Sequence, residues 1–177
     1  EHICSVTTDN YMGALQAASL LIRDHCDVLI HINADVPKII PAYNRIRAFE
    51  DTCKEHHVPY ELNLNVCGDS YQELFSQMKI IFADIDEKYP GQKKGVFLAN
   101  DTYANMFLNL IFQKYGCLPD TYELVGFDNS PIASEAILPI TTIGQQIDVI
   151  AHTSMELLVQ QMEERKKRKP VPLAEPI

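Results

Sequence analysis

The sequence predicts an α/β protein built on a doubly wound parallel sheet, with one nearly complete lobe and part of a second. Short apolar runs typical of strands alternate with amphipathic stretches typical of helices, and short connections separate them. This alternation is the pattern of βαβ units, in which helices cover both faces of a parallel sheet. The chain has 177 residues and is 46% hydrophobic, so it can bury a substantial core.

Ten elements account for this pattern. The strand candidates are residues 27–32, 60–66, 95–99, 122–127 and 141–143. The helix candidates, with apolar residues at intervals of three and four, are residues 10–24, 39–57, 71–85, 101–115 and 146–167. Asp69 or Ser70 is a suitable N-cap for the third helix, and Asp101 for the fourth.

The predicted elements divide into two lobes. Residues 26–145 and 169–177 form the nearly complete one, and residues 1–25 and 147–168 form the partial one. One strand and one helix at the start of the chain cannot bury themselves, and the last long helix is their natural companion. Since the chain opens on "EHICSV", which reads as a strand, we expect the sequence to begin partway through a larger protein.

Charge and cysteine content argue against several classes of function. The net charge of −9 repels phosphate backbones, so this piece is a poor DNA binder by itself. The five cysteines are scattered and never form a C-x-x-C pair. They are therefore expected as buried apolar residues in a protein of the reducing cytosol, not as a zinc or disulfide framework. No apolar run approaches the roughly 18 residues of a membrane span.

Motifs for cofactors and catalysis are also missing. The sequence has no G-x-G-x-x-G, no P-loop and no G-x-S-x-G elbow, and its six histidines lack metal-ligand spacing. No carboxylate pair or nucleophile–base set is evident. We therefore expect no cofactor, no metal and no enzymatic activity.

Polar side chains instead follow the predicted strands, where ligands bind in open parallel sheets. Asn100 ends the third strand, Asp128 ends the fourth, and Gln145 follows the fifth. The helix after the first strand brings Arg45 and Arg47, of which we assign Arg47 to the site; its alternative role is a surface ion pair with a neighbouring carboxylate. Asp128 could equally form an Asx-turn. Together these groups predict a binding site for a small polar molecule.

With these residues in place, the sequence resembles the LacI/GalR family of bacterial transcription regulators, in the effector-binding domain. The matching stretches are "VTTDNYMGALQAASLL", "YNRIRAFEDTCKEHHV", "GVFLANDTYA", "LPDTYELVGFDNSPIA" and "LPITTIGQQIDVIAHTSMELL". The second is similar to the family's R-x-x-G-x-x-x-A helix. The last three, in this order and spacing, are the most specific, and the resemblance spans nearly the whole chain.

The resemblance implies a type I periplasmic-binding-protein fold, with a sugar or similar metabolite between two lobes and operator DNA bound only by a helix-turn-helix headpiece absent here. It implies ligand contacts from Arg47, Asn100, Asp128 and Gln145. Tyr71 lies near the family's stacking aromatic, and Met12 stands where a residue can face the ligand. A periplasmic sugar-binding protein of the same fold is the alternative function.

The helix predicted at residues 101–115 has a wider apolar arc than one sheet face needs. Leu108 and Phe112 extend this arc, and the remaining polar strip carries amides in place of charges. The alternative is that the loop at residues 131–140 covers Phe112. Since regulators of the resembled family commonly dimerise through this helix and that loop, we expect Leu108 and Phe112 in a homodimer interface.

Overall fold

The computed structural model describes residues 5–34 and 42–167, in two units. The larger unit is residues 9–145, and the smaller combines residues 5–8 with residues 146–167. The boundary differs from the one predicted, because the helix at residues 10–24 lies in the larger unit and not in the partial lobe. The strand predicted from "EHICSV" and residues 169–177 lie largely or wholly outside the described residues.

Helices and strands alternate through the larger unit. Its helices are α1 (Asn10–Arg23), α2 (Tyr43–Glu55), α3 (Tyr71–Lys88), α4 (Asp101–Tyr115) and the short α5 (Pro131–Glu135). Its strands are β1 (Val28–Ala34), β2 (Tyr60–Val66), β3 (Lys94–Leu98), β4 (Tyr122–Asp128) and β5 (Thr141–Gly144). The prediction of the strands and of the long helices is confirmed apart from end residues, while α5 was not predicted. The predicted start of the second helix lies outside the described residues.

The five strands form one parallel sheet in the order β2-β1-β3-β4-β5. The predicted doubly wound α/β fold is therefore confirmed for this unit. The chain moves outward from β1 to β2 and then returns to place β3 on the other side of β1. This reversal is a topological switch point, and ligands of such sheets bind outside the carboxyl ends of the strands there.

Each face of the sheet has its own apolar core, because successive side chains of a strand point to opposite faces. Val28, Ile30 and Ile32 of β1 pack with residues of α3 and α4. Leu29 of the same strand packs on the other face with residues of α1 and α2. β1 is therefore buried on both sides, as expected for the interior of a parallel sheet, and it includes the polar residues His31 and Asn33.

Helix α1 owes its position on the sheet to small residues. Ala14, Ala17 and Ala18 are fully buried against the α1–α2 face of the sheet. A Cβ at Gly13 would lie 2.8 Å from Phe127 Cε2, so only glycine lets the helix approach β4 this closely. The small-residue face of α1 thus matches a sheet within its own unit, which explains why this helix does not belong to the partial lobe.

Helix α4 begins at the predicted residue, but its N-cap is not the predicted one. Asn100 is the N-cap, and its side-chain oxygen accepts a hydrogen bond from the Tyr103 amide at 2.9 Å. The prediction that Asp101 caps this helix is wrong, because Asp101 is the first helical residue and its carboxylate bonds elsewhere. The cap predicted for α3 is confirmed at Ser70, which forms a capping box with Glu73.

The exposed apolar surface of α4 is narrower than the sequence suggests. Leu108 is only 1% exposed and belongs to the core shared with α3. It cannot contact a second copy, so its assignment to a dimer interface is wrong. The helix wheel failed here because it treats α4 as packed only against the sheet, whereas the core that includes Leu108 also contains residues of α3, α5 and the segment before β5. Phe112 packs against the same core but remains half-buried.

The smaller unit is dominated by α6 (Ile147–Lys167). Its half-buried positions, Ile150, Thr153, Leu157 and Gln161, recur at intervals of three and four. The large apolar residues that stay exposed are Ile147, Val149, Met155, Leu158, Val159 and Met162. Within the described part of the chain, no helix combines the length and the apolar character that a membrane crossing requires.

Candidate functional site

The candidate site lies at the carboxyl end of the sheet, next to the switch point between β1 and β3. Arg45 in the first turn of α2 reaches this edge. Its Nη1 donates a hydrogen bond to the carbonyl oxygen of Ala99, the residue after β3, at 2.7 Å. Its Nε donates to Oδ1 of Asn10, at the start of α1, also at 2.7 Å. One guanidinium therefore joins α1, α2 and β3 at the edge where a ligand would bind.

Aromatic stacking fixes the plane of this guanidinium. The Arg45 Cζ atom lies 3.5 Å from the centroid of the Phe127 ring, close enough for a strong cation–π contact. Burial lowers the pKa of Arg45 from its ordinary value, and the negative charge of Asp128 acts in the opposite direction. The cation is thus preorganised and partly desolvated, which strengthens any hydrogen bond that it donates to a ligand.

Arg47 is exposed, and the structure does not place it with the other candidate residues. The phase of α2 gives the reason. Arg45 stands three and four residues before Ala48 and Phe49, which are fully buried, whereas Arg47 precedes Glu50 and Asp51 by the same intervals. Arg45 and Ala48 also fit the R-x-x-G spacing, with alanine in place of glycine. The assignment of Arg47 therefore gives way to Arg45.

Asp128 and Gln145 come together as expected. Gln145 Nε2 donates a hydrogen bond to Asp128 Oδ1 at 2.6 Å. The backbone of Asp128 has a φ of 108°, and that of Asn129 has a φ of 54°. Two consecutive non-glycine residues with positive φ are strained, and such strain concentrates at ligand-binding positions. The Gln145 amide therefore orients the Asp128 carboxylate, which lies in a loop whose backbone conformation is unfavourable by itself.

Asn100 has two possible uses in its position after β3. Its Oδ1 is occupied as the helix cap, and within the described residues its side-chain nitrogen has no hydrogen-bond partner. The Ala99 carbonyl beside it already accepts from Arg45. Asn100 is half-exposed, so its NH₂ group can serve a ligand at the same edge as Arg45.

The two remaining predicted contacts have less support. Tyr71 is 56% exposed and stacks on Phe75 with 6.0 Å between ring centroids. It lines a groove shared with α4, and none of its described contacts joins it to Arg45 or Asp128. Met12 lies in the first turn of α1, as Asn10 does, and its side chain is 46% exposed. Its position is compatible with ligand contact, but no contact to the other site residues is seen among the described ones.

Sequence reasoning missed three contributors to this edge, namely Arg45 as the inward arginine, Asn10 and Phe127. Asn10 is buried although it is polar and begins a helix. Phe127 belongs to an apolar strand, so its pattern predicts core packing and not a platform for a cation. Helix phase could have identified Arg45. The other two depend on how α1 and β4 meet, which no local pattern reveals.

The chemistry of the group is that of a polar-ligand site. A cation, a carboxylate and two primary amides offer donors and acceptors at one edge, which suits the hydroxyls of a sugar. Asp128 and Arg45 are not joined in an ion pair among the described residues, so both charges remain available. Over the same part of the chain, no cluster of His, Cys, Asp and Glu has the arrangement of a metal site.

Comparison with protein families gives a match to the periplasmic binding protein-like domain over residues 21–177. Among curated proteins, the ribose operon repressor of Halalkalibacterium halodurans is 26% identical over 166 residues. That match covers 93% of this chain and 47% of the relative. The chain therefore spans about half the length of this relative.

Solved structures share the fold. A LacI family transcriptional regulator from Enterococcus faecium with bound ribose has a TM-score of 0.71 at 22% identity, over 91% of this chain and 57% of that one. The lac repressor dimer bound to operator and the anti-inducer ONPF has a TM-score of 0.69 at 18% identity, over 89% of this chain and 52% of that one.

Proposed function

The chain belongs to the periplasmic binding protein-like domain family, and from this premise we propose that it is the ligand-sensing domain of a LacI-type transcriptional regulator. The ligand is a sugar or a similar polar metabolite, bound at the carboxyl edge of the sheet. The observation that carries the proposal is the preorganised Arg45, which is stacked on Phe127 and hydrogen-bonded to α1 and β3 beside the carboxylate of Asp128.

The hydrogen-bonding pattern at this edge favours a polyhydroxyl ligand. Arg45 and Gln145 donate, Asp128 accepts, and Asn100 can donate through its NH₂ group. A hydroxyl group both donates and accepts, so adjacent hydroxyls can bridge a guanidinium and a carboxylate that are not paired with each other. Ribose is the natural first ligand to test, because a ribose operon repressor and a ribose-bound regulator are among the similar proteins.

Control of DNA binding is the regulatory part of this proposal. The net charge of −9 argues against DNA contact by this domain, so operator binding belongs to a headpiece elsewhere in the protein. Ligand binding shifts the balance between two arrangements of the domain only if its affinity for them differs. The proposed protein acts in the cytoplasm, where its operator is, and it performs no reaction on its ligand.

The test of this proposal is isothermal titration calorimetry of the intact protein with a panel of pentoses, hexoses, disaccharides and amino acids. We expect saturable binding of at least one sugar and none of the amino acids. A ligand that binds should also change operator affinity in a gel-shift assay. Sugar binding without any operator binding by the intact protein would favour the periplasmic transport protein, and chemical turnover of the sugar would contradict the proposal.

Homodimerisation through α4 and the segment after β4 completes the proposal. Phe112 lines a groove of about 450 Å³ together with Tyr71, Phe75 and Ile137. Ile137 is 58% exposed, and its neighbours Ile132 and Leu138 are also exposed apolar residues. Such a cluster is typical of an interaction surface. The lac repressor, which shares the fold, was solved as a dimer.

A matched pair of substitutions tests the dimer. Phe112→Glu should convert the intact protein from dimer to monomer in sedimentation velocity, because it places a charge in the proposed interface. Ile80→Glu is the control, since Ile80 is 71% exposed on α3 and lies about 180° around that helix from Tyr71. Equal sedimentation of the Phe112→Glu variant and the parent, or a monomeric parent, would contradict this interface.

A further inference from the structure

A buried carboxylate ties the loop after β4 to the sheet. Asp101 is 1% exposed at the first position of α4. Its Oδ2 accepts a hydrogen bond from the Ser130 amide at 2.6 Å, and its Oδ1 accepts one from the Thr142 hydroxyl at 2.5 Å. The oxygen of Thr142 in turn accepts from the Asn129 amide at 3.2 Å. The two amides that follow Asp128 are therefore both held by this pair of side chains.

The loop requires support because its backbone is strained. Asp128 and Asn129 have φ values of 108° and 54°. Elsewhere in the described chain, positive φ occurs only at isolated residues, namely Gly91, Gly116, His25 and His57. A strained pair of non-glycine residues persists only when surrounding contacts determine its conformation. The hydrogen bonds from Ser130 and Asn129 to Asp101 and Thr142 are contacts of this kind.

The place of Asp101 is itself built into the sheet. A Cβ atom on Gly126 would overlap the Asp101 Oδ1 atom. Gly126 does not have a positive φ, so its backbone conformation does not require glycine. Glycine is needed here because a side chain would occupy the space of the Asp101 carboxylate. The burial of a charge here is made tolerable by its hydrogen bonds and by the N-terminus of α4, where the helix dipole favours an anion.

Helix capping does not account for Asp101. Asn100 is the cap of α4, and both carboxylate oxygens of Asp101 bond to the loop after β4 and to β5. Asp101 is also too deeply buried to touch a ligand at the carboxyl edge. Among the described residues, its side chain bonds only to Ser130, which follows the strained turn in the chain, and to Thr142, which accepts a hydrogen bond from the turn at Asn129.

We infer that Asp101 and Thr142 are positioning residues for the ligand site. They hold the turn at Asp128 and Asn129 in its positive-φ conformation, so that the Asp128 carboxylate reaches Gln145 and faces the ligand. This inference rests on the proposed function, since it concerns how the sugar site is shaped. It adds residues that bind no ligand themselves and yet set the affinity.

Thr142 offers the cleanest test, because valine has nearly the same shape and serine keeps the hydroxyl. In the intact protein, Thr142→Val should weaken the affinity for D-ribose about tenfold or more, and Thr142→Ser should stay within about threefold of the parent. Thr52→Val is the control, since Thr52 is a threonine whose hydroxyl also donates a hydrogen bond inside the protein, in this case to the Ala48 carbonyl oxygen of its own helix. It should bind D-ribose as the parent does. Parent-like affinity in Thr142→Val would overturn the inference.

A second measurement needs no ligand and separates this inference from the proposed function. Amide hydrogen exchange at Asn129 and Ser130 should be about tenfold faster in Thr142→Val than in the parent and unchanged in Thr52→Val. Gly126→Ala, which displaces the Asp101 carboxylate, should accelerate exchange at Ser130 as well. If the parent binds no sugar, the proposed function fails. The exchange rates alone then decide whether Asp101 and Thr142 hold the turn. Unchanged exchange rates at Asn129 and Ser130 in Thr142→Val and in Gly126→Ala would reject the inference that Asp101 and Thr142 hold the turn.

Discussion

The two edges of the sheet both carry charged side chains, but the charges are paired in different ways. At the amino edge, the Asp86 carboxylate accepts hydrogen bonds from the Lys114 ammonium and from the hydroxyls of Tyr115 and Tyr122. Burial acts to raise the pKa of Asp86, but these three donors together lower it below its ordinary value. Both oxygens of this carboxylate therefore accept their hydrogen bonds from groups of the protein itself.

At the carboxyl edge, the charges of Arg45 and Asp128 are held by neutral partners instead. Arg45 bonds to an amide and a carbonyl, and Asp128 bonds to the amide of Gln145. The difference indicates what each cluster is for. A carboxylate surrounded by its own donors anchors α3 to α4 and β4, whereas separated charges fixed by neutral groups retain the capacity to bind a ligand.

The largest expected effect comes from replacing one aspartate at each edge by asparagine, which should affect stability at one edge and sugar affinity at the other. Asp86→Asn should lower the free energy of unfolding by about 2–3 kcal/mol, because it removes the charge that satisfies three donors. Asp128→Asn should change stability little and reduce sugar affinity. Urea unfolding and calorimetry on both variants measure the two quantities. A loss of affinity in Asp86→Asn, with stability unchanged, would remove the distinction between the edges.

A buried histidine between the two edges gives a pH dependence of stability. His31 is fully enclosed, its Nδ1 lies 3.0 Å from the Phe97 carbonyl oxygen, and its ring stacks on Phe97 at 4.6 Å. Burial lowers the pKa of His31 to about 4, and the nearby positive charge of Arg45 contributes in the same direction. The neutral ring therefore contributes stability that is fully present above pH 6.5 and is lost as the pH falls towards 4.

Between pH 8 and pH 5 this histidine should cost about 2 kcal/mol of stability, because the unfolded chain takes up a proton that the folded chain does not. Urea unfolding at the two pH values measures the loss. The His31→Leu variant should have a correspondingly flatter dependence, since the other described histidines are exposed. An identical pH dependence in the variant and the parent would assign the effect to other groups.

The helix caps provide the smallest contrast. Ser70→Ala and Asn100→Ala each remove a side chain that accepts a hydrogen bond from the third helical amide, so each should cost about 1 kcal/mol of stability. Only Asn100→Ala should also weaken sugar binding, because only Asn100 lies beside Arg45 at the carboxyl edge. Thermal unfolding and calorimetry distinguish the two effects. Equal sugar affinity in both variants would restrict Asn100 to its role as a cap.

The success of the sequence-based prediction depended on the kind of information that each residue carries. The sheet was predictable because β1 and β3 are short apolar runs between amphipathic helices, and that pattern is local. The proximity of Asp128 and Gln145 was predictable because strand ends of a parallel sheet meet at one edge. These features follow from periodicity and chain order alone.

Two of the three errors concern residues whose roles depend on packing between elements, and the third overlooked the phase of a helix. Arg47 was preferred to Arg45 although the phase of α2 points Arg45 inward and Arg47 outward. Leu108 was placed on the surface because its helix was considered on the sheet alone, without the residues of α3, α5 and the segment before β5 that share its core. Asn100 and not Asp101 caps α4, since the sequence cannot show that Ser130 and Thr142 donate hydrogen bonds to the Asp101 carboxylate. For Leu108 and Asp101 the deciding partners belong to other elements of the fold, whereas helix phase alone could have identified Arg45.

The most direct test of the ligand site compares the two arginines of α2. The intact protein, Arg45→Met and Arg47→Met would be titrated with D-ribose, or with whichever sugar of the panel binds the parent, by isothermal titration calorimetry. Arg45→Met should lose about 2 kcal/mol of binding free energy, or about thirtyfold in affinity, because a buried charged hydrogen-bond donor is removed. Arg47→Met should bind as the parent does. Unchanged affinity in Arg45→Met together with a comparable loss in Arg47→Met would contradict the site described for this fold.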